Sequence, residues 1–317
     1  MTLRVLLPVE CRLDHARLPP EISWVPYRAS DPTPPADPHA DGLVVWGNSA
    51  DQLRRAVGSL PALRWVQTLS SGADAALTAG FPPQVTMSSG KGLHDDPVAE
   101  HALALLLALV RGIPELARAQ ARHHWSHELR RAQSDAPAAG APVRSLVGAH
   151  VVIWGYGSIG RRLAGMLVGL GASITGIASR PRSEEHRVVG QGDALAVLPD
   201  ADAVVALVPA TPGNRHVVGE AAFEQVRSGA WFVNVGRGST VDESALLRAL
   251  DRGVIAGAGL DVFEHEPLPS SSALWSHERV LISPHVAGGR PQGAEALLTE
   301  NAARLLAGTP LINTLPR

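Results

Sequence analysis

Short apolar runs alternate with polar stretches through the first third of the chain. Runs at residues 3–7, 42–46 and 65–68 predict three strands. Residues 50–57 have helical character, whereas the Pro- and Asp-rich stretch 31–41 predicts a surface loop. This alternation of strands and helices is typical of a small α/β domain.

A strongly apolar helix is predicted next. Asp96 suits the N-cap, Pro97 suits the first helical position, and Glu100 suits the positive end of the helix dipole. Residues 98–110 are apolar on nearly every face, so we expect this helix to be buried, either in a core or in a subunit interface. The Ala-, Pro- and Gly-rich stretch 133–143 then predicts a flexible crossing to a second domain.

The second half of the chain repeats a strand–helix pattern. Continuous apolar strands separated by helices are typical of a parallel sheet covered on both faces. A final helix is predicted over 291–306, with Gly308 as its C-cap. The fold class is therefore two α/β domains. The predicted strands of the second half are 151–154, 173–177, 203–208, 231–235, 257–261 and 280–282.

A glycine-rich turn joins the first of these strands to a helix. Its six residues are Gly155, Tyr156, Gly157, Ser158, Ile159 and Gly160. This context is typical of a dinucleotide site: Gly155 permits the turn, Gly157 lets the backbone approach the pyrophosphate, and Gly160 lets helix and strand pack closely. The helix N-terminus adds N–H donors. Six residues alone also fit a turn without a ligand. About half the chain precedes the turn, so another domain must come first.

Composition narrows the class of protein. The chain has 317 residues, 45% of them hydrophobic and 18% charged, which fits two globular domains. A net charge of −2 argues against a nucleic-acid or anionic-membrane partner. The single cysteine, Cys11, excludes an intrachain disulfide and is interpreted as an inert thiol. No secretory signal is visible and residues 102–110 are too few to span a bilayer, so we expect a cytoplasmic protein.

Three ionisable side chains each follow a different predicted strand of the second half: Arg237, Glu266 and His285. Ligands bind beyond the carboxyl ends of parallel strands, so we expect these residues to share a site. Arg holds and polarises carboxylate and carbonyl oxygens, and His exchanges a proton near neutral pH. A carboxylate bonded to that His favours its charged form and fixes its orientation. The three residue types fit the interconversion of 2-oxo and 2-hydroxy acids, although each alone also fits an ordinary turn or strand end.

The motifs around these residues resemble the D-isomer-specific 2-hydroxyacid dehydrogenase family over nearly the whole chain. By this resemblance Arg237 binds and polarises the substrate, His285 is the acid/base, and Glu266 tunes His285. The resemblance also adds Pro209 and Asp261 to the glycine turn as cofactor-binding residues. The matching segments are Pro97-Val98-Ala99-Glu100-His101, the glycine turn, 234–243, Leu260-Asp261-Val262-Phe263, Glu266-Pro267-Leu268 and Ser283-Pro284-His285-Val286-Ala287-Gly288.

The resemblance implies two Rossmann-like or flavodoxin-like domains. The cofactor domain, 97–290, is a doubly wound parallel sheet inserted into a discontinuous substrate domain, 1–96 plus 291–317, with the substrate in the cleft between them. The loop of Ser71, Gly72 and Ala73 resembles the family's substrate-carboxylate loop, and a simple turn fits it equally well. Family members are commonly dimers joined through the cofactor domain, so a homodimer is expected.

The residues after strand 173–177 bear on the choice of cofactor. NAD-binding Rossmann folds place an acidic residue here, but this chain has Ser179, Arg180 and Arg182. A carboxylate would repel a 2′-phosphate, whereas these three side chains can bind one. The sequence therefore predicts a preference for NADP(H), with NAD(H) possible; an exposed basic turn is the alternative explanation.

Other polar residues give weaker signals. His123 and His127 have the spacing of a zinc-binding pair, but nothing nearby completes four ligands, so no metal is predicted and a solvated helix end is favoured. Lys91 and His94 fit either the active site or a plain loop.

The leading hypothesis is an NADP(H)-dependent reductase of a small 2-oxo acid, such as glyoxylate or hydroxypyruvate, or the reverse dehydrogenase. The alternative from another class is a dinucleotide-sensing interaction protein on the same fold, as in the C-terminal-binding-protein corepressors. A third hypothesis keeps the fold and changes the hydride donor, as in the related formate and phosphonate dehydrogenases.

Overall fold

The chain folds into two α/β units, one inserted into the other along the sequence. The computed structural model describes residues 2–31, 37–134 and 140–315. Unit 1 comprises Met1–His94 and Gly289–Arg317, and unit 2 comprises Asp95–Gly288. The predicted fold class is thus confirmed. Residues 32–36 of the predicted surface loop and 135–139 of the predicted crossing lie outside the described residues.

The described residues contain thirteen strands and nine α-helices. The strands are β1 (Arg4–Pro8), β2 (Ser23–Tyr27), β3 (Gly42–Val45), β4 (Trp65–Thr68), β5 (Thr86–Ser88), β6 (His150–Trp154), β7 (Ser173–Ala178), β8 (Arg182–Ser183), β9 (Arg187–Gly190), β10 (Ala203–Ala206), β11 (Ala230–Asn234), β12 (Ile255–Leu260) and β13 (Val280–Ile282). The helices are α1 (Ala50–Ser59), α2 (Asp74–Leu77), α3 (Asp95–Val110), α4 (Ile113–Ala121), α5 (His127–Ser134), α6 (Ser158–Gly169), α7 (Glu220–Gln225), α8 (Glu243–Asp251) and α9 (Ala294–Ala307).

Unit 1 is built on a parallel sheet. Its described residues form five strands in the order β2-β1-β3-β4-β5, the flavodoxin-like order. Side chains of α1 and α2 pack in one apolar cluster, and side chains of α9 pack in another. The apolar runs predicted β1, β3 and β4 but missed β2 and β5. β2 contains Pro26 and is mostly half-exposed, and β5 has only three residues.

Helix α9 is tied to this sheet by buried polar side chains. Asn301 Nδ2 donates to Gln67 Oε1 at 2.8 Å, and Ser88 Oγ donates to the same oxygen at 2.7 Å. Asn301 Oδ1 accepts the Ile312 N–H at 2.7 Å. Gly308, at φ +67°, ends α9 as the sequence predicts. The last helix of the chain therefore completes the unit that the first strands begin.

Unit 2 is built on a doubly wound sheet. Its described residues form eight strands in the order β13-β12-β11-β10-β6-β7-β9-β8, all parallel except the β8–β9 pair. The chain runs outward from β6 through β7 to β9, then returns to β10 on the other side of β6. The point between β6 and β10 is the topological switch point, where ligands bind in such sheets.

Helices cover both faces of the unit 2 sheet, as its continuous apolar strands require. Side chains of α3 and α6 pack in one cluster of buried residues, and side chains of α7 and α8 pack in the other. Strands β8 and β9 were not predicted, because the two residues of β8 are exposed and charged residues surround the pair.

Helix α3 differs from its prediction in two respects. It begins at Asp95 rather than after an N-cap at Asp96. It is buried along one face, whereas Leu103 and Leu107 are half-exposed and Ala104 is exposed. The single chain therefore does not bury the whole helix, and the subunit-interface alternative stays a prediction. None of the helices in the described part of the chain is long and apolar enough to cross a bilayer.

Candidate active site

The glycine turn between β6 and α6 uses each of its glycines differently. Gly155 has φ +105°, and a Cβ there would lie 2.5 Å from the Leu207 carbonyl carbon. A Cβ on Gly160 would lie 3.1 Å from the Gly155 oxygen and 3.2 Å from Ile153 Cγ2. A Cβ on Gly157 would meet nothing within 4 Å. The fold itself therefore requires Gly155 and Gly160, whereas Gly157 leaves open space at the helix N-terminus.

The other three residues of the turn anchor it through their side chains. The Tyr156 ring is buried against β7, where a Cβ on Gly176 would lie 2.5 Å from the ring. Ser158 Oγ donates to Asp95 Oδ1 at 3.1 Å, and Ile159 packs against the core. These contacts fix the turn at the N-terminus of α6, and the Gly155 and Tyr156 N–H groups hold it to the Ile177 carbonyl.

The turn fits the pyrophosphate of a dinucleotide. Gly157 is the N-cap of the 12-residue helix α6 and provides no side-chain cap. Helix N-termini attract anions through their N–H groups and dipole, and the open space at Gly157 lets an anion approach the backbone. The turn lies beside the switch point of the sheet. Pro209, three residues beyond β10, is exposed, and its carbonyl accepts Asn214 Nδ2 at 2.9 Å.

Cationic side chains lie beyond the carboxyl end of β7. Ser179 and Arg180 are exposed. Arg182 Nη2 donates to the Tyr156 carbonyl at 2.5 Å, so this guanidinium is held against the glycine turn. Its Nε lies 3.5 Å from the Glu184 carboxylate, which forms a 2.7 Å ion pair with Arg161. The position directly after β7 is occupied by a serine rather than by a carboxylate.

Arg237 lies in the loop after β11. The glycine on either side of it lets this loop pass close to the loops after β10 and β12. A Cβ on Gly236 would lie 2.9 Å from the Leu207 carbonyl carbon, and a Cβ on Gly238 would overlap the Phe263 carbonyl. The buried Asn234 side chain accepts the Gly236 N–H at 3.1 Å. Arg237 itself is half-buried, and its Nη1 donates to the Gly236 carbonyl at 2.7 Å. The loops after β10, β11 and β12 therefore lie in direct contact.

The structure brings Glu266 and His285 into a short hydrogen bond. Glu266 Oε2 lies 2.6 Å from His285 Nδ1, while Glu266 Oε1 accepts the Phe263 N–H at 3.0 Å. A carboxylate only accepts, so Nδ1 carries the proton and Nε2 is left to exchange one with a ligand. The His285 side chain is 50% exposed and therefore accessible.

Asp261 is buried beneath the loop that carries His285. Its Oδ1 accepts Ser283 Oγ at 2.6 Å and the Val286 N–H at 2.9 Å, and its Oδ2 accepts the Ala287 N–H at 3.0 Å. The sequence predicted Asp261 only as a cofactor-binding residue. Its contact with this loop was missed, although Asp261 and the Ser283 segment both belong to the motifs quoted above.

Glu243, at the start of α8, and Glu264, after β12, join their two segments by reciprocal hydrogen bonds, which we call the Glu243–Glu264 clasp. The sequence did not predict this pair. Glu243 Oε1 accepts the Glu264 N–H at 2.7 Å, and Glu264 Oε1 accepts the Glu243 N–H at 3.1 Å. Glu264 Oε2 also lies 2.8 Å from His216 Nε2. Burial raises the pKa of Glu243. The hydrogen bond from the Glu264 N–H lowers this pKa, and the negative charge of Glu264 raises it. The clasp fixes the segment between β12 and Glu266.

The predicted substrate loop lies in unit 1, after β4. Ser71 is exposed, Gly72 is half-exposed and Ala73 is buried. His94 supports this loop, because its Nε2 contacts the Leu69 carbonyl at 2.8 Å and its ring stacks on Trp46 at a centroid distance of 5.6 Å. The glycine turn, Arg237, Glu266 and His285 all lie at the carboxyl ends of strands in unit 2.

The remaining histidine pair shows no metal geometry. His123 and His127 are exposed, beyond the end of α4 and at the start of α5. Across the described residues, no group of three or more His, Cys, Asp or Glu side chains is placed to hold a metal ion.

Comparison with known proteins identifies the family. Residues 103–287 match the family model described as "D-isomer specific 2-hydroxyacid dehydrogenase, NAD binding domain". The chain belongs to this family. Glyoxylate/hydroxypyruvate reductase B of Salmonella paratyphi B is 34% identical to this dehydrogenase family member over 257 residues, covering 78% of this chain and 74% of the relative.

Two further relatives extend the comparison. Glyoxylate/hydroxypyruvate reductase A of Photorhabdus laumondii is 30% identical over 283 residues, covering 85% of this chain and 84% of the relative. A crystal structure of a D-isomer-specific 2-hydroxyacid dehydrogenase from Xanthobacter autotrophicus Py2, in complex with NADPH and MES, matches with a TM-score of 0.81 and 29% identity over 99% of this chain and 98% of that one. The predicted family and enzyme class, a D-2-hydroxyacid dehydrogenase and hence an oxidoreductase, are confirmed.

Proposed function

We propose that this dehydrogenase reduces small 2-oxo acids, such as glyoxylate or hydroxypyruvate, with NADPH, and catalyses the reverse oxidation of D-2-hydroxy acids. The observation that carries the proposal is the 2.6 Å contact between Glu266 Oε2 and His285 Nδ1. It lies at the same edge of the sheet as the glycine turn. A proton-exchanging group and a dinucleotide site on one sheet edge are what a hydride-transfer enzyme requires.

The roles of the three side chains follow from their chemistry. The Arg237 guanidinium holds the substrate carboxylate and polarises the carbonyl oxygen with its fork of donors. His285 delivers the proton on Nε2 to that oxygen in reduction and removes it in oxidation. Glu266, through its bond to Nδ1, keeps the imidazole oriented and balances the charge of its protonated form. When bound, the nicotinamide supplies the hydride for reduction or accepts it in oxidation.

The cofactor preference rests on Ser179, Arg180 and Arg182. Arg182 is fixed against the Tyr156 carbonyl, close to the pyrophosphate turn, and Ser179 and Arg180 are exposed beside it. Their donors suit a 2′-phosphate, and the Xanthobacter relative was crystallised with NADPH. NAD(H) remains the weaker cofactor in this proposal. We assign pyrophosphate binding to the glycine turn, with Pro209 and Asp261 completing the cofactor site.

The proposal extends to the two units and to the assembly. Unit 2 binds the dinucleotide, and unit 1 contributes the loop of Ser71, Gly72 and Ala73 to substrate binding. A homodimer through unit 2 would cover the half-exposed Leu103 and Leu107 of α3.

Cys11 is a free, buried thiol whose pKa is raised by burial, and it suits a reducing cytoplasm.

The test is a panel of 2-oxo acids assayed by NADPH oxidation and then by NADH oxidation. We expect turnover of small 2-oxo acids with a higher kcat/KM for NADPH than for NADH. An equal or higher value with NADH would overturn the cofactor assignment. Tight NADPH binding without turnover of any 2-oxo acid would favour the dinucleotide-sensing alternative.

Sedimentation equilibrium, with Leu107→Glu as the dissociating variant, tests the dimer.

A further inference from the structure

A second histidine lies close to the acid/base loop but takes no part in the chemistry described above. His101 is on α3, and its Nε2 lies 2.8 Å from Ser283 Oγ and 3.5 Å from Asp261 Oδ1. Asp261 is only 1% exposed. The three side chains form a chain of contacts from the long helix to the loop that carries His285.

The hydrogen bonds in this chain run in one direction. The Asp261 carboxylate can only accept, so the Ser283 hydroxyl donates its single proton to Oδ1, at 2.6 Å. The Ser283 oxygen then accepts, and its partner at 2.8 Å is His101 Nε2. His101 therefore carries its proton on Nε2. Removing Ser283 Oγ would leave His101 Nε2 with only its 3.5 Å contact to Asp261 Oδ1, and would remove one of the hydrogen bonds that Oδ1 accepts.

Asp261 also holds the backbone at the acid/base and directly after it. Asp261 accepts the N–H groups of Val286 and Ala287, and the Asp261 carbonyl accepts the His285 N–H at 2.8 Å. His285 has φ +53°, a left-handed conformation that a non-glycine residue keeps only where its surroundings impose it. The orientation of the His285 imidazole therefore depends on the position of Asp261.

We propose that His101 and Ser283 are positioning residues for the acid/base. They lock the Asp261 carboxylate, and through it the 283–287 loop, so that His285 Nδ1 stays on Glu266 while Nε2 faces the substrate. The inference rests on the proposed function of His285.

The test compares paired variants of the full-length protein. Ser283→Ala removes the hydroxyl and Ser283→Thr keeps it; His101→Phe removes the ring nitrogens and His101→Gln keeps an N–H donor. His124→Phe, at an exposed histidine, is the matched control. We expect Ser283→Ala and His101→Phe to lower kcat about 10-fold to 100-fold, since misplacement of a reacting group by about 1 Å has effects of this size. KM for the 2-oxo acid should stay within about twofold, and both conservative variants should recover most of kcat.

A readout independent of turnover is the NMR signal of the His285 Nδ1–H, assigned by its loss in His285→Ala. The hydrogen bond to Glu266 shifts this proton downfield, and we expect Ser283→Ala to weaken or abolish the signal and Ser283→Thr to keep it. The positioning role is overturned if Ser283→Ala retains both kcat and the signal, or if Ser283→Thr is as impaired as Ser283→Ala. A melting temperature that falls in parallel with kcat would also overturn it, because the loss of activity would then reflect general unfolding. A wild-type protein without turnover would instead reject the proposed function, and the NMR signal would still decide the positioning role.

Discussion

At the residue scale, the hydrogen bond between Glu266 and His285 Nδ1 determines that Nε2 is the nitrogen that exchanges a proton with the substrate. Replacing His285 by Ala removes the proton donor but none of the contacts of the glycine turn. We expect kcat/KM for a 2-oxo acid to fall about 10²-fold to 10⁴-fold, the range that general acid–base catalysis contributes. Fluorescence titration should show the Kd for NADPH within about twofold of wild type. Activity close to wild type would end the assignment of His285 as the acid/base.

The sequence identified Arg237, Glu266 and His285 because each lies in a motif directly after a strand. It did not identify the residues that hold them. His101 and Ser283 are 182 positions apart, and only the packing of α3 against the sheet brings them together. The Glu243–Glu264 clasp was missed for a similar reason, because reciprocal bonds between two loops leave no periodic pattern in a sequence.

At the scale of one element, different glycines of the turn are needed for folding and for cofactor binding. Gly157 has φ −97° and open space at its Cβ, so Gly157→Ala should fold with a melting temperature within about 2 °C of wild type. The added methyl group occupies the space through which the pyrophosphate approaches, so the Kd for NADPH should rise at least about tenfold. Calorimetry measures both quantities.

Gly155→Ala is the matched contrast. It adds a methyl group at φ +105° and against the Leu207 carbonyl, so it should lower the melting temperature by several degrees. Equal effects of the two variants on stability would contradict the division of roles within the turn.

The Glu243–Glu264 clasp predicts a pH dependence of stability. The pKa of Glu243 is raised in the folded state, so its contribution is most favourable below the unfolded pKa and is lost as pH rises through the folded pKa. Above that pH the ionised carboxylate destabilises the fold. Glu243→Gln should therefore raise the melting temperature relative to wild type at pH 8, and this gain should shrink towards pH 4.

Three of the four strands that the sequence missed share a physical property; the fourth, β9, is four residues long and begins with an exposed arginine. β2, β8 and β5 are either half-exposed or at most three residues long, so their apolar signal is weak. The central strands of both sheets were predicted within one or two residues, because burial on two faces demands continuous apolar runs. For α3, the sequence alone could not distinguish burial within one chain from a face that a second subunit covers.

At the scale of the whole molecule, each unit has its own clusters of buried residues. A substitution that destabilises one unit should therefore leave the other unit folded. Asn301→Leu removes the bonds to Gln67 and leaves the Ile312 N–H without its acceptor, at a cost of about 1–3 kcal/mol. Hydrogen exchange should accelerate within 2–94 and 289–315 while 95–288 stays protected. Thr309→Ala, at an exposed position, is the control. Uniform acceleration in both units would show that they unfold as one.

The insertion of unit 2 also sets an order of events during translation. Synthesis of unit 2 is finished before α9 is made, yet Leu298 and Ala302 of α9 pack in the same core as Val5, Leu7 and Trp65. A nascent chain therefore holds the first strands with one apolar face uncovered until the last residues emerge. Released chains truncated after residue 295 should show a protease-resistant unit 2 beside a protease-sensitive unit 1. Unit 2 begins later in the sequence than unit 1 but is complete first. Until α9 is added, the uncovered apolar face of unit 1 is a target for chaperones.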